Sequence, residues 1–93
     1  MEIIQRLFAV IMDRKANPKE GSYTNRLLAA GEDEILKKIG EESVEVIIAA
    51  KGQGDERLIS ELADLAYHCL VLLAQHDLSP KDVATELERR FMS

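Results

Sequence analysis

The segment from residue 62 to residue 74 has almost no polar side when it is drawn as a helix. Its apolar members are Leu62, Ala63, Leu65, Ala66, Leu70, Val71, Leu72 and Leu73. A helix that is apolar around most of its circumference is normally surrounded by other apolar groups. The chain has 93 residues, a length near the lower end of the range over which a single hydrophobic core forms. We therefore predict one domain, residues 1–93, in which this helix is buried all round.

Helical periodicity and capping residues predict the first two helices. Residues 2–14 carry apolar side chains at helical spacing, and this helix should end before Asn17-Pro18. Ser22 or Thr24 can then cap a short helix that stops at Gly31.

Two long helices follow, one over residues 32–51 and one that begins at Asp55, as its cap, and continues to about residue 76. Ser79-Pro80 opens a last helix. Short connections favour antiparallel neighbours, and no segment has the alternation of a strand. The prediction is an all-α helical bundle with two long central antiparallel helices. Aromatic residues make up only 4% of the chain, so its core must be aliphatic.

Charge and composition exclude several classes of function. The formal net charge of −5 argues against a nucleic-acid-binding face. The N-terminus does not resemble a signal peptide, and no stretch approaches the roughly 20 apolar residues of a membrane span. A cytoplasmic protein is expected. Cys69 is the only cysteine, and its apolar neighbours predict a buried, unreactive thiol.

The first long helix carries a carboxylate where an apolar residue is expected. On a helical wheel, Glu42 falls inside the apolar arc, between Ile35 and Val46. Glu45 lies three residues later at the edge of the same face, so the two side chains point to a common region. Glu41 points in a more exposed direction.

The second long helix repeats this arrangement with Glu61 and Asp64. Four carboxylates would meet across one hairpin, and buried like charges need cations. An all-oxygen set suits Mg²⁺ or Mn²⁺. A single pair of carboxylates three residues apart is common on helices and does not require a metal ion. A partly buried salt bridge, for example between Glu42 and Lys38, can explain such a pair. We predict that His68 packs or hydrogen-bonds near Asp64 and does not bind metal.

Val44 and Ile48 lie away from the main apolar arc of their helix. They predict a second buried surface, which a helical homo-oligomer would supply. Tyr67 and Met12 are expected in the core or in an interface.

The run from Lys37 to Glu45 (KKIGEESVE), followed by ELAD at residues 61–64, resembles the MazG-like all-α nucleotide pyrophosphohydrolases. Their signature is E-E-x-x-E followed by E-x-x-D. The segments GSYT at 21–24, ADLAYH at 63–68 and LSPKDV at 78–83 are similar to one branch, the phosphoribosyl-ATP pyrophosphohydrolase family. Ser43 stands where alanine is usual in this family. No second pathway domain is recognisable, which is typical of the stand-alone form.

The resemblance implies hydrolysis of phosphoribosyl-ATP to phosphoribosyl-AMP and pyrophosphate, the second step of histidine biosynthesis. The apolar surface at Val44 and Ile48 predicts that the enzyme is a homodimer or a higher homo-oligomer. The resemblance also implies a Mg²⁺ ion held by the four acids, with Glu41 and Glu42 as catalytic residues.

The positions and chemistry of further residues suit substrate binding. Flanking the acids are Lys37, Lys38 and Lys51, which can contact the triphosphate, and a purely solvent-exposed role for each is the alternative. Phosphate or phosphoribosyl oxygens can be held by Ser22, Tyr23 and Thr24, and a plain capping role for Ser22 or Thr24 is the alternative.

Three alternatives stay open at this point. A hydrolase of non-canonical nucleoside triphosphates would use the same acidic core. A di-iron bundle is less compatible, because its Glu-x-x-His motif is absent. A helical dimerisation module would carry the acids only as surface ion pairs.

Overall fold

The computed structural model describes residues 2–92, which form five helices and no strand. The helices are α1 (Glu2–Ala16), α2 (Tyr23–Ala30), α3 (Glu32–Gly52), α4 (Asp55–Gln75) and α5 (Pro80–Phe91). The all-α prediction is confirmed, and the predicted helix ends lie within about two residues of those observed, the usual precision for such boundaries.

Local chemistry explains where the helices begin and end. The Ser22 side chain caps α2 by accepting a hydrogen bond from the backbone N–H of Asn25 at 3.2 Å. At the start of α5, the backbone N–H of Ser79 donates to the Asp82 carboxylate at 2.8 Å. The prediction that Asp55 caps α4 is wrong. Gly54 occupies that position with φ of 87°, a conformation that glycine adopts without steric cost, and Asp55 is the first helical residue.

Helices α3 and α4 form the predicted antiparallel hairpin and pack against each other more extensively than any other pair of helices. The buried apolar cluster draws on the first four helices and consists of Ile11, Leu27, Ile35, Leu70, Val71 and Ala74. Met12 and Tyr67 pack against this cluster, as expected. Helix α5 contributes no buried residue. The hairpin therefore forms the centre of the helical bundle, with α1 and α2 completing one side.

The prediction that α4 is buried all round is wrong for a single chain. Ile59 is 66% exposed and Leu62 is 46% exposed. Together with Ala66, Cys69 and Leu73, they form a stripe at alternating spacings of three and four residues, which we call the α4 stripe. This spacing is typical of a helix-packing seam. Within one chain the first four residues of this stripe are exposed, whereas Leu73 at its end is partly buried against the core.

Cys69 is exposed, so the prediction of a buried thiol is also wrong. It lies on the α4 stripe, and partial burial there raises the pKa of its thiol. The stripe continues into a groove of about 820 Å³ between α1, α4 and α5, which is lined by Phe8, Cys69 and Val83 among others and by no carboxylate. This groove is therefore an apolar surface and not the site where the acids meet.

By length and composition alone, α4 passes the criteria for a membrane-spanning helix. The prediction that no stretch approaches a membrane span is therefore wrong for the length and composition of this helix. A core helix passes the same test. In this structure, Glu61 and His68 of α4 are buried within the bundle. The burial of these polar side chains against other helices is typical of a core helix.

Candidate metal centre

Three of the predicted metal ligands come together between the two long helices. They are Glu42, Glu61 and Asp64. Each offers one carboxylate oxygen, and these three oxygens lie within 4.8 Å of one another. Glu61 is 3% exposed, Glu42 is partly buried and Asp64 is exposed. We refer to these three residues as the acid triad. It has one buried end and one end open to solvent.

Packing of the hairpin brings the acid triad together. Glu61 and Asp64 are neighbours on one face of α4 because they are separated by three residues. Glu42 reaches them because it lies on the side of α3 that also carries Ile35 and Ala49, both buried. The wheel position inferred from the sequence therefore corresponds to the face of α3 that meets α4.

The electrostatics of the acid triad favour a bound cation. The pKa of Glu42 is raised, first by burial, then by the negative charge of Asp64, and further by hydrogen bonding with Glu61 and by its charge. His68 acts in the opposite direction on the same carboxyl group. A carboxylate whose pKa is raised by neighbouring negative charges, as that of Glu42 is, can be held ionised by a positive charge placed beside it.

Arg57 supplies one positive charge to the acid triad. Its guanidinium Nη2 lies 2.8 Å from Oε1 of Glu61, four residues later on α4, and the arginine side chain is 53% exposed. This role of Arg57 was not predicted from the sequence. The spacing of four residues between a basic and an acidic side chain was the available signal. The buried carboxylate of Glu61 is thus paired with a guanidinium whose side chain is about half exposed to solvent.

Arg57→Ala should lower the free energy of unfolding of the metal-free protein by about 1 to 3 kcal/mol, because the buried Glu61 carboxylate loses its charged partner. Saturating Mg²⁺ should reduce this difference if the ion takes over the role of the guanidinium. Urea unfolding with and without Mg²⁺ measures both quantities. Arg6→Ala, at an exposed position of α1, is the control. An equal loss under both conditions would contradict the expectation.

The fourth predicted ligand, Glu45, is partly buried on α3 and is not a member of the acid triad. It lies about one helical turn beyond Glu42. Glu41 is exposed, as the wheel predicted, and its Oε1 lies 3.7 Å from Nζ of Lys38. The alternative pairing of Lys38 with Glu42 is therefore not the one observed.

The other lysines with predicted substrate-binding roles occupy two places along α3. Lys37 is exposed in the first half of the helix, and Lys51 is exposed in its last turn. Lys38, which pairs with Glu41, is partly exposed. All three keep an ammonium group accessible to solvent, but the three are not gathered at one point.

The predicted substrate segment, Ser22 to Thr24, contacts α4 close to the acid triad. The Tyr23 hydroxyl lies 3.0 Å from Nε2 of His68, and Thr24 Oγ1 is hydrogen-bonded to the Tyr67 hydroxyl. His68 Nδ1 lies 2.8 Å from the backbone oxygen of Asp64, which confirms the predicted hydrogen bond near that residue. The contact between Tyr23 and His68 was not predicted, because no local spacing links residues 45 positions apart.

A family model described as phosphoribosyl-ATP pyrophosphohydrolase matches residues 4–91. The chain belongs to this family. Within the phosphoribosyl-ATP pyrophosphohydrolase family, it is 56% identical to the phosphoribosyl-ATP pyrophosphatase of Pelotomaculum thermopropionicum, over 96% of this chain and 91% of that protein. It is 53% identical to the Geotalea daltonii protein of the same name, over 97% and 85%.

A bifunctional relative is also similar. The histidine biosynthesis bifunctional protein HisIE of Caldanaerobacter subterraneus is 47% identical over 98% of this chain, which corresponds to 44% of that longer protein. The family resemblance predicted from the sequence is confirmed.

In this phosphoribosyl-ATP pyrophosphohydrolase family member, the chemistry of the acid triad fits a hard divalent cation. The triad offers only carboxylate oxygens, the donors that Mg²⁺ and Mn²⁺ prefer to nitrogen or sulfur. Both nitrogens of the nearby His68 ring are used in hydrogen bonds. The available donor set is therefore an oxygen set.

Proposed function

We propose that this protein hydrolyses phosphoribosyl-ATP to phosphoribosyl-AMP and pyrophosphate in histidine biosynthesis. The observation that carries the proposal is the acid triad, whose three carboxylates approach within 4.8 Å between the central helices of a member of the phosphoribosyl-ATP pyrophosphohydrolase family. An exposed opening beside a buried carboxylate suits a substrate whose phosphates enter from solvent. The names of the relatives support this substrate.

The proposed cofactor is Mg²⁺, with Mn²⁺ as a substitute. Glu42, Glu61 and Asp64 would hold it, and Glu45 is proposed as a fourth ligand. When bound, such an ion neutralises charge on the pyrophosphate leaving group and makes a water molecule more acidic. The triad itself supplies negative charge in a partly desolvated place, where a divalent ion is bound more strongly than at an open surface.

The remaining roles fall on residues around the triad. Hydrolysis breaks the bond between the α- and β-phosphates, and the attacking water must lose a proton. Glu41 is the proposed acceptor of that proton, because it is exposed and adjoins Glu42. Lys37, Lys38 and Lys51 are proposed to contact the phosphates as point charges. Ser22, Tyr23 and Thr24 are proposed to bind the phosphoribosyl part at the N-terminus of α2.

We further propose a homodimer located in the cytoplasm. The α4 stripe and the exposed residues Val44, Ile47 and Ile48 of α3, which are between 46% and 64% exposed, lie along the same hairpin. A single chain leaves these aliphatic side chains in water. A second copy would bury them at an isologous interface.

The proposal is tested by measuring pyrophosphate release from phosphoribosyl-ATP with and without Mg²⁺, beside ATP and non-canonical deoxynucleoside triphosphates. We expect the highest kcat/KM for phosphoribosyl-ATP, and loss of turnover in excess EDTA that Mg²⁺ restores. A higher kcat/KM for a non-canonical triphosphate would favour the house-cleaning alternative. Turnover that does not respond to EDTA would contradict the metal site.

A further inference from the structure

Two consecutive residues of α4 contact two consecutive residues at the start of α2. His68 is hydrogen-bonded to the hydroxyl of Tyr23, and Tyr67 is hydrogen-bonded through its own hydroxyl to Thr24. The α4 residues follow Asp64 of the acid triad by three and four positions. The first turn of the short helix is thus joined by side chains to the helix that carries two of the three triad acids.

The geometry of His68 determines which atom holds its proton. A backbone carbonyl oxygen can only accept, so Nδ1, which lies 2.8 Å from the carbonyl oxygen of Asp64, donates its N–H. In the neutral ring, Nε2 then accepts the hydroxyl proton of Tyr23 at 3.0 Å. The ring is 5% exposed. It therefore connects the backbone of a triad residue to the Tyr23 side chain.

Ring packing restricts Tyr23 further. The rings of Tyr23 and Tyr67 are stacked, with centroids 6.1 Å apart and planes 28° from parallel. His68 stands edge-on to Tyr23, with an interplanar angle of 89°. These arrangements are the favoured ones for aromatic pairs. The Arg26 guanidinium lies 5.4 Å from the centroid of the Tyr23 ring. The tyrosine is therefore oriented even though 39% of it is exposed.

The attachment of α2 to the bundle does not by itself require these polar contacts. Leu27 of α2 is 2% exposed within the core. Asn25 joins the start of α2 to the end of α1, because its side-chain N–H donates to the carbonyl oxygen of Arg14 at 2.7 Å. The bonds from α4 thus add orientation at the first turn of a helix that is already anchored.

We propose that His68 is a positioning residue, which holds Tyr23 in register with Asp64 so that substrate bound by residues 22–24 meets the acid triad. Tyr67 does the same for Thr24. When the His68 ring is neutral, the Tyr23 hydroxyl donates its hydrogen to Nε2, and its oxygen then remains only as an acceptor. It therefore suits a sugar hydroxyl of the substrate better than a phosphate oxygen, which is also an acceptor. This inference rests on the proposed function.

Two substitutions of His68 separate its two hydrogen bonds. His68→Asn places an amide near the position of Nδ1, so it keeps the bond to Asp64 and loses Tyr23. His68→Gln reaches the position of Nε2, so it keeps Tyr23. We expect His68→Asn and Tyr23→Phe each to raise KM for phosphoribosyl-ATP about two- to tenfold, the range for one hydrogen bond. His68→Gln should retain most of the affinity for phosphoribosyl-ATP. In all three variants, kcat should change less than KM.

The double variant Tyr23→Phe/His68→Asn should be no worse than Tyr23→Phe alone, because His68→Asn removes only a bond that Tyr23→Phe has already removed. Mg²⁺ affinity, measured by calorimetry, should stay within about twofold of the parent, since no triad carboxylate is removed. His76→Asn removes the contact with Glu32 of the histidine that directly follows α4. It is the matched control and should leave KM unchanged.

Unchanged KM in His68→Asn would overturn the inference. So would equal losses in His68→Asn and His68→Gln accompanied by lower melting temperatures, since these would indicate a structural role only. An inactive parent protein would instead contradict the proposed function, and that result is distinguishable because it precedes any comparison of variants.

Discussion

Asp64→Asn should reduce pyrophosphate release from phosphoribosyl-ATP by more than about 100-fold, the upper range for groups that only support a metal ligand. Glu61→Gln should have a similar effect. Each change removes one carboxylate from a group in which the three acids lie within 4.8 Å of one another. Each should also weaken Mg²⁺ binding, because an amide oxygen carries no net charge. Steady-state kinetics and calorimetric titration with Mg²⁺ measure the two effects.

The loss should not reflect unfolding. Asparagine has nearly the shape of aspartate, and its introduction removes one of the charges that raise the pKa of Glu42. The metal-free Asp64→Asn variant should therefore melt at or above the temperature of the parent protein. Glu56→Gln, an exposed change in the first turn of α4, is the matched control and should leave activity and Mg²⁺ affinity unchanged. If Asp64→Asn behaved like this control, the proposed metal site would be wrong.

The second large effect concerns the α4 stripe. Ile59→Glu should convert the protein from a dimer to single chains, detected by sedimentation velocity at micromolar concentration. Burial of an isoleucine side chain contributes about 1.5 to 3 kcal/mol, and an unpaired buried carboxylate costs several kcal/mol more. A symmetric interface incurs these costs twice. The 66% exposed position of Ile59 in one chain means that the same substitution should not prevent folding.

The matched control is Gln53→Glu, which makes the same change in charge in the exposed turn between α3 and α4. It should leave the dimer intact. Circular dichroism should show that Ile59→Glu remains helical. A parent protein that sediments as single chains, or an Ile59→Glu variant with an unchanged sedimentation coefficient, would contradict the homodimer proposal.

The sequence by itself supports the prediction about the acid triad. The separation of Glu61 and Asp64 by three residues places them on one face of any helix, so their proximity follows from helix geometry. The position of Glu42 on the apolar arc of α3 indicated that it faces the next helix. Short-range periodicity was sufficient for both inferences, because the hairpin turn leaves α3 and α4 little choice of partner.

Other features depended on contacts between distant parts of the chain. No pattern near Tyr23 indicates that its hydroxyl binds His68, and none near Thr24 indicates Tyr67, because α2 and α4 are separated by the whole of α3. The exposure of Cys69 was also missed. An apolar sequence predicts that a helix makes apolar contacts, but it does not show whether one chain has enough helices to supply them.

The sequence alone determined the five helices and the pairing of α3 with α4, because these follow from 3.6-residue periodicity, from helix caps and from short turns. It also predicted that Glu42, Glu61 and Asp64 meet, but it included Glu45 in the same group, and only the structure separates Glu45 from the other three. The sequence also carried the family signature. Only the tertiary structure decided which side of α4 faces water, that Arg57 contacts Glu61, and that α2 is bonded to α4 beside the acid triad. These depend on side-chain packing between elements, which local spacing does not specify.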